Sequence, residues 1–149
     1  MVETVEFLAR VDLFRRLKTS ALEGLAAQVR VVHFSDGQKI QDTRRDTAPA
    51  DGMYIIKTGM AKVTRTANSW EAEAVLGILR QGEWFGEIGL IDGLPPSANI
   101  TAMAPMECYF LPREAFMSAL ENNPEIAVGM LPGLGFMVRN ADQWIAQLL

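Results

Sequence analysis

The residues best placed to do chemistry lie in one stretch, Trp84-Phe85-Gly86-Glu87-Ile88-Gly89-Leu90-Ile91-Asp92-Gly93-Leu94-Pro95-Pro96-Ser97-Ala98-Asn99-Ile100-Thr101-Ala102. A strand ends in a glycine, a carboxylate follows, and a short helical turn runs from Ile88 to Ile91 before a proline-rich turn opens a new strand. The free amides at the start of that turn, and those around Ser97 and Ala98, form a seat for an anion. Glu87, beside that seat, is suited to accept hydrogen bonds from a sugar hydroxyl. The plainer alternative is that Gly86 and Gly89 only permit close packing and that Glu87 is a solvated charge at a helix start.

Other chemistries find little support. His33 is the only histidine and Cys108 the only cysteine, so no His/Cys set can hold zinc. His33 sits inside a strand pattern and is read as structural or surface, not as the base of a Ser-His-Asp triad. Neither a P-loop lysine motif nor G-x-G-x-x-G occurs, and the G-x-x-x-G of Gly129 and Gly133 carries little weight outside a membrane helix. No catalytic residue and no metal site are expected. Cys108 lies in the apolar run Met106 to Leu111, the pattern of a core strand.

The net charge of −4 and the lack of a basic run argue against direct nucleic-acid binding. The segment Met1 to Leu17 carries charges every few residues, unlike a secretory signal. The longest apolar stretch, Ile126 to Val138, has 13 residues and is interrupted by Pro132 and three glycines, too short and broken to cross a membrane. A cytoplasmic location is the expectation.

The elements that must position the stretch follow from periodicity. Phe7, Leu8, Val11, Phe14 and Leu17 form one helical stripe, and Ser20-Ala21-Leu22-Glu23 has the spacing of a capping box for a second helix carrying Leu22, Leu25, Ala26 and Val29. From Arg30 the period becomes that of strands. Met53 to Lys57, Met60 to Thr66 and Glu71 to Leu79 are strands separated by turns at Thr58-Gly59, Asn68-Ser69 and Gln81-Gly82, and two more lie between Ala98 and Leu111. Pro112 is expected as the first residue of a helix. Asn123-Pro124 is expected to cap and open a final helix that Pro132, Gly133 and Gly135 kink or break. The plan is a single domain over 1–149, with helices in 1–29, a β-barrel in 30–111 containing the segment 84–102, and helices in 112–149.

That segment resembles the phosphate-binding cassette of the cyclic-nucleotide-binding domain family, which is shared by catabolite-activator-type regulators, cyclic-nucleotide-dependent kinases and gated channels. Phe85 to Leu90 matches the family's F-G-E-[LI]-[AG]-L. Pro95, Ser97, Ala98, Ile100 and Ala102 match the second half, P-R-[ST/A]-A-x-[VI]-x-A. Further likeness runs along most of the chain: Phe34, Gly37 and Ile40, then Met53-Tyr54-Ile55-Ile56 with Gly59, then Gln81 to Phe85, and finally Ala141-Asp142. The resemblance implies a mainly β fold with flanking helices, a double-stranded β-helix or jelly-roll β-barrel, and a regulatory, non-catalytic sensor.

By the same resemblance the ligand is a cyclic nucleotide, cAMP or cGMP with cAMP the first expectation, and no cofactor is implied. Glu87 would accept the ribose 2′-hydroxyl, with the amides of Gly86 and Ile88 at the same corner and Phe85 and Gly89 framing it. The amides of Ser97 and Ala98, with Pro96 and Asn99 beside them, would face the phosphate. Phe136 and Trp144 on the last helix are candidates to cover the base. The apolar stripe of Phe136, Met137, Trp144, Ile145 and Leu148 would meet the barrel, a protein partner or a second subunit.

Two departures weigh against simple inheritance. Pro96 stands where the family has an arginine, a charge-assisted contact contributing about 1.5–3 kcal/mol. Between Ile40 and Met53 the chain is longer and more charged than the family's short turn, and Arg44 or Arg45 could replace the lost guanidinium, with Arg65 and Arg80 as remoter candidates. The plainer reading of that segment is a solvated loop with local Asp–Arg pairs. The alternative function is therefore a degenerate member with weak or no nucleotide binding, retained for protein interaction or dimerisation. A third, an enzyme on a cupin-like barrel, lacks a metal-ligand set.

Overall fold

Alternating and doubly apolar runs become eight strands in the computed structural model, which describes residues 1–66 and 73–149. The strands are β1 (Arg30–Phe34), β2 (Lys39–Gln41), β3 (Gly52–Thr58), β4 (Ala61–Thr66), β5 (Glu73–Leu79), β6 (Trp84–Phe85), β7 (Asn99–Ala102) and β8 (Met106–Pro112). They pair antiparallel in two four-stranded sheets, ordered β1-β8-β3-β6 and β2-β7-β4-β5. The chain crosses repeatedly between the sheets, and the result is the expected jelly-roll with flanking helices. The turn expected at Asn68-Ser69 and the first residues of the strand read from Glu71 lie outside the described residues.

β3 and β8 are apolar on both faces because both faces are covered. Tyr54, Ile56, Cys108 and Met106 face the barrel interior with Ile40, Phe85, Ile100 and Ala102. Met53, Ile55, Tyr109 and Leu111, one residue out of phase, face a second core beneath the helices. A period of two thus splits each strand between two cores. Cys108 is fully buried as a core residue, and burial pushes its thiol up to about 12.

The second core is roofed by α1 (Val2–Ala9), a 3-10 turn (Asp12–Phe14), α2 (Thr19–Ala26), α4 (Arg113–Asn122) and the start of α5 (Glu125–Leu148). A short α3 (Glu87–Asp92) lies in the cassette. Leu8, Phe14, Phe116 and Ile126 are all but sealed there.

Four local expectations are corrected. The first stripe is not one helix: α1 ends at Ala9, Val11 is extended (φ −73°, ψ 126°), and the 3-10 turn follows. After that break the 3-10 turn buries both Leu13 and Phe14 in the second core. Ser20 does not cap α2; the N-cap is Lys18, with no side-chain bond, and the start at Thr19 places Leu22, Leu25 and Ala26 on the buried face. Pro112 is the N-cap of α4, not its first residue, because it still pairs with Gly52 at the end of β8. Asn123 bonds backward, its Nδ2 donating to the Ala119 carbonyl at 3.0 Å, and Pro124 takes the N-cap of α5.

α5 also runs unbroken for 24 residues through Pro132. A proline within a helix forfeits one backbone bond and crowds the preceding turn. Pro132, Gly133 and Gly135 all lie on exposed helix surface, where water can serve the freed carbonyl. Gly129 works differently: a Cβ there would approach the Leu13 carbonyl to 3.2 Å, so its lack of side chain lets α5 seat against the 3-10 turn.

Candidate functional site

β6 delivers Phe85 to the barrel interior, and the chain must then turn sharply. Gly86 makes that turn at φ 93°, with the Gly52 carbonyl 3.0 Å and Gln41 Nε2 3.2 Å from where a Cβ would be. Only glycine occupies this left-handed, crowded position without strain. Glu87 therefore opens α3 at a fixed place. Gly89 keeps α3 against the chain below it, since a Cβ would lie 3.0 Å from that of Ala50.

Glu87 is not the solvated charge of the plainer reading. It is only 5% exposed, and its Oε2 is buried with no hydrogen-bond partner among the described residues. Burial pushes its carboxyl up to about 7, partly offset by its own backbone amide. A buried acceptor without a donor costs about 1–3 kcal/mol, and Glu87 itself does not line the neighbouring cavity.

Beside this corner lies a cavity of about 370 Å³, at the lower end of the size range of small-molecule sites. β2 contributes Gln41 to its wall, the following segment contributes Arg45 and Asp46, and the cassette contributes Pro96. The aromatic wall is Tyr54 and Phe110, whose ring centroids are 5.0 Å apart. Tyr54 in turn stacks on Phe85 at 5.0 Å, and the Arg30 guanidinium sits 4.7 Å over the Phe110 ring. Gln41 touches both the cavity and the Gly86 corner, linking the two halves of the site. A second depression, of about 380 Å³ around His33, Asp36 and Glu107, contains no cassette residue.

The charged segment after β2 is ordered by its own hydrogen bonds. Asp42 accepts the Arg44 amide on its side chain at 3.0 Å, and its carbonyl accepts the Asp46 amide at 2.8 Å. The whole turn is then tied to the cassette strand. Asn99, 1% exposed, accepts from the Thr43 amide at 2.8 Å and from the Thr43 hydroxyl at 3.1 Å, and donates to Thr66 Oγ1 at 3.1 Å. Asn99 holds the turn in place and does not line the cavity.

That turn brings Arg45 to the cavity wall that also includes Pro96, whereas Arg44 stays exposed and outside it. The Arg45 guanidinium is engaged: Nε donates to Asp46 Oδ1 at 2.8 Å and Nη2 to Asp46 Oδ2 at 3.0 Å. The pair raises the arginine and holds the Asp46 carboxyl below its ordinary range, chiefly through that hydrogen bonding. The local Asp–Arg pairing expected of this loop is present, but it lies on the cavity wall.

The remaining candidates are scattered. Phe85 is buried under Tyr54, Ile88 and Ala98 are half-buried, and Ser97 is exposed; none of these lines the cavity. Phe136 and Trp144, 69% and 42% exposed on α5, do not reach it. Sequence reasoning missed Gln41, Asp46, Tyr54 and Phe110 as site residues. For Gln41 and Asp46 the early signal was the unusual length and charge of the 41–52 segment, read there as a solvated loop; Tyr54 and Phe110 sat in apolar strand runs with no sign of a ligand role. No group of His, Cys, Asp or Glu among the described residues could hold a metal, and none of their helices is long and apolar enough to cross a membrane.

Comparison with known proteins places the chain by its sequence and fold. Residues 29–123 match the family model described as "Cyclic nucleotide-binding domain". The CRP-like cAMP-activated global transcriptional regulator of Mycobacterium tuberculosis is 28% identical over 144 residues, covering 97% of this chain and 62% of that protein. The chain thus spans less than two-thirds of the length of that relative. Among solved structures, the regulatory domain of Toxoplasma gondii PKA with cAMP superposes with a TM-score of 0.79 at 22% identity, over 90% of this chain and 49% of the other. The regulatory subunit of a cAMP-independent protein kinase A from Trypanosoma cruzi, bound to guanosine, gives 0.76 at 22% identity, over 87% and 44%. At such identities the structural likeness establishes the fold.

Proposed function

We propose, from the premise that this chain belongs to the cyclic nucleotide-binding domain family, that it is a regulatory module taking a cyclic nucleotide beside Glu87 and the Tyr54–Pro96 cavity. Residues 1–149 act as one unit, the barrel of 30–111 receiving the ligand and the helices of 112–149 reporting it. No residue in the site is asked to do catalysis. cAMP is the first ligand to test, since the mycobacterial relative is named as cAMP-activated and the Toxoplasma domain was solved with cAMP.

The observation that carries this reading is the sharing of one cavity by Arg45 and Pro96. The cassette lacks its guanidinium, and the inserted turn supplies another in the same enclosure. Glu87, with its partnerless buried oxygen, is the acceptor for the ribose hydroxyl, and Tyr54 and Phe110 offer apolar surface. Calorimetry with cAMP and cGMP tests the reading: binding should weaken at least tenfold in Glu87→Ala and Arg45→Met. No heat at millimolar ligand with folded protein would remove it.

A second reading is favoured by Pro96 together with the Asp46 carboxylate already on Arg45: a site that has given up phosphate recognition. The Trypanosoma neighbour is described as the regulatory subunit of a cAMP-independent protein kinase A bound to guanosine, a nucleoside without a phosphate. Pro96→Arg separates the two, because cyclic-nucleotide binding gained only in that variant marks a degenerate site.

The output is assigned to α5. Leu131, Leu134, Val138, Ala141, Ile145 and Leu148 repeat at alternating steps of three and four, with β-branched Val138 and Ile145 in one position and Leu134 and Leu148 in the other. That is the pattern of a two-stranded parallel coiled coil, and all but the half-buried Leu134 are exposed. A second copy of this chain is the occupant that fits, pairing α5 with α5.

A further inference from the structure

We infer that Asp46 is a built-in competitor for the ligand's phosphate: its carboxylate occupies the edge of Arg45 that a phosphodiester would take, so binding exchanges one monoanion for another. This rests on the reading of the cavity as the ligand site.

The guanidinium is held by two different kinds of partner. One is fixed: Nη1 donates to the Lys39 carbonyl at 3.2 Å and Nη2 to the Ile40 carbonyl at 3.2 Å, both on the backbone of β2. The other is exchangeable: Nε and Nη2 donate to the two oxygens of Asp46 at 2.8 and 3.0 Å, a two-point contact along one edge. Two non-bridging phosphate oxygens satisfy the same edge in the same way. Because β2 holds the arginine, displacing the carboxylate leaves the guanidinium in place.

Displacement is also physically accessible. The Arg45 and Asp46 side chains are 54% and 30% exposed, and ion pairs at such exposure are weak. Asp46 can turn towards water at the cost of the Asp42 amide that its Oδ2 now accepts at 2.9 Å, yet as the next residue in the chain it remains beside Arg45 and competes with every incoming anion. The charged side chains lining the cavity are Arg45, Asp46 and Asp51. One positive charge against two negative ones tolerates the exchange of a monoanion. It disfavours a phosphomonoester, which carries nearly two charges at neutral pH. Asp46 thereby weakens binding overall and selects for a cyclic diester.

The experiment is a calorimetric titration of cAMP, cGMP and uncharged adenosine into the wild type, Asp46→Asn, Asp46→Ser, Arg45→Met and the Arg45→Met/Asp46→Asn double variant. Asparagine retains an acceptor for the Asp42 amide that Asp46 now receives at 2.9 Å, so the turn should persist. The expected result is a roughly three- to tenfold tightening of cAMP in both Asp46 variants, with any adenosine affinity unchanged. The gain should vanish in the double variant. Binding of cAMP to the wild type that neither Asp46 variant strengthens, or a gain that survives the loss of Arg45, overturns the inference while leaving the site reading intact. No cyclic-nucleotide binding by any of the five proteins overturns both.

Discussion

Tyr54 lies face to face with Phe85, ring centroids 5.0 Å apart and planes 15° from parallel. Tyr54 is a wall of the cavity, and Phe85 is the last residue before the turn that launches Glu87. The cavity and the buried carboxyl therefore share one rigid contact. A ligand that presses on the aromatic wall presses on the cassette.

Separating ring from hydroxyl tests this coupling. Tyr54→Phe should keep the stack and change stability by less than about 1 kcal/mol, with ligand affinity within a few-fold. Tyr54→Ala should cost on the order of 2–3 kcal/mol, less than a fully buried aromatic because Tyr54 is half-buried. It should also weaken ligand binding at least tenfold. Urea unfolding followed by tryptophan fluorescence, with Trp84 next to Phe85, gives the first comparison, and calorimetry gives the second. Equal affinities for the two variants would show that the wall is not coupled to the cassette.

Glu87 should make the free protein's stability depend on pH in a set direction. Its folded value of about 7 lies above the ordinary 4.5, so between those pH values the folded state holds a proton that the unfolded state has lost. Stability from this group is present below about pH 4.5 and is lost as pH rises through 7, on the order of 3 kcal/mol in all. Glu87→Gln should remove that slope and be the more stable protein at pH 8. The check is the difference between wild-type and variant urea midpoints from pH 5 to pH 8, in which other titrations cancel. A difference that does not change with pH would contradict it.

The α5 seam predicts self-association. Ile145→Glu puts a charge near the C-terminal end of the apolar repeat and, being exposed in a single chain, should leave the barrel's thermal stability within about 0.5 kcal/mol. The wild type should sediment as a dimer at tens of micromolar and the variant as a monomer. A monomeric wild type at that concentration would rule out the second copy as the occupant of this face.

Cys108 should be inert in the native state. It is fully buried, and its thiol, pushed up to about 12, holds almost no thiolate at neutral pH. A thiol reagent should modify it only at the rate of unfolding, and fully in denaturant. Prompt native labelling would mean that β8 opens far more readily than its packing implies.

Much of the fold was legible because it rests on local alternation. The doubly apolar runs at Met53–Ile56 and Cys108–Leu111 announced strands covered on both sides, and Phe85-Gly86-Glu87 announced a strand, a turn and a carboxylate. The element ends were less legible. Whether Ser20 or Lys18 caps α2, and whether Pro112 closes a strand or opens a helix, is decided by which residues the core takes in. The apolar stripe of α5 was legible, but Pro132 and the glycines masked that the helix runs unbroken: their local cost argues for a break, and on an exposed surface that cost is small.

By itself the sequence determined the identity of the cassette and its missing guanidinium, since both are statements about consecutive residues. Tertiary structure decided which of the two arginines named in the 41–52 segment reaches the cavity. Arg45 and Pro96 are 51 positions apart, and nothing local places them on one cavity wall. Asn99, expected at the ligand, instead ties down the turn that carries Arg45, and Asp46 is found on the arginine's free edge. Such relations depend on how β2, β3, β7 and the cassette close around a shared space, and only long-range packing fixes that closure.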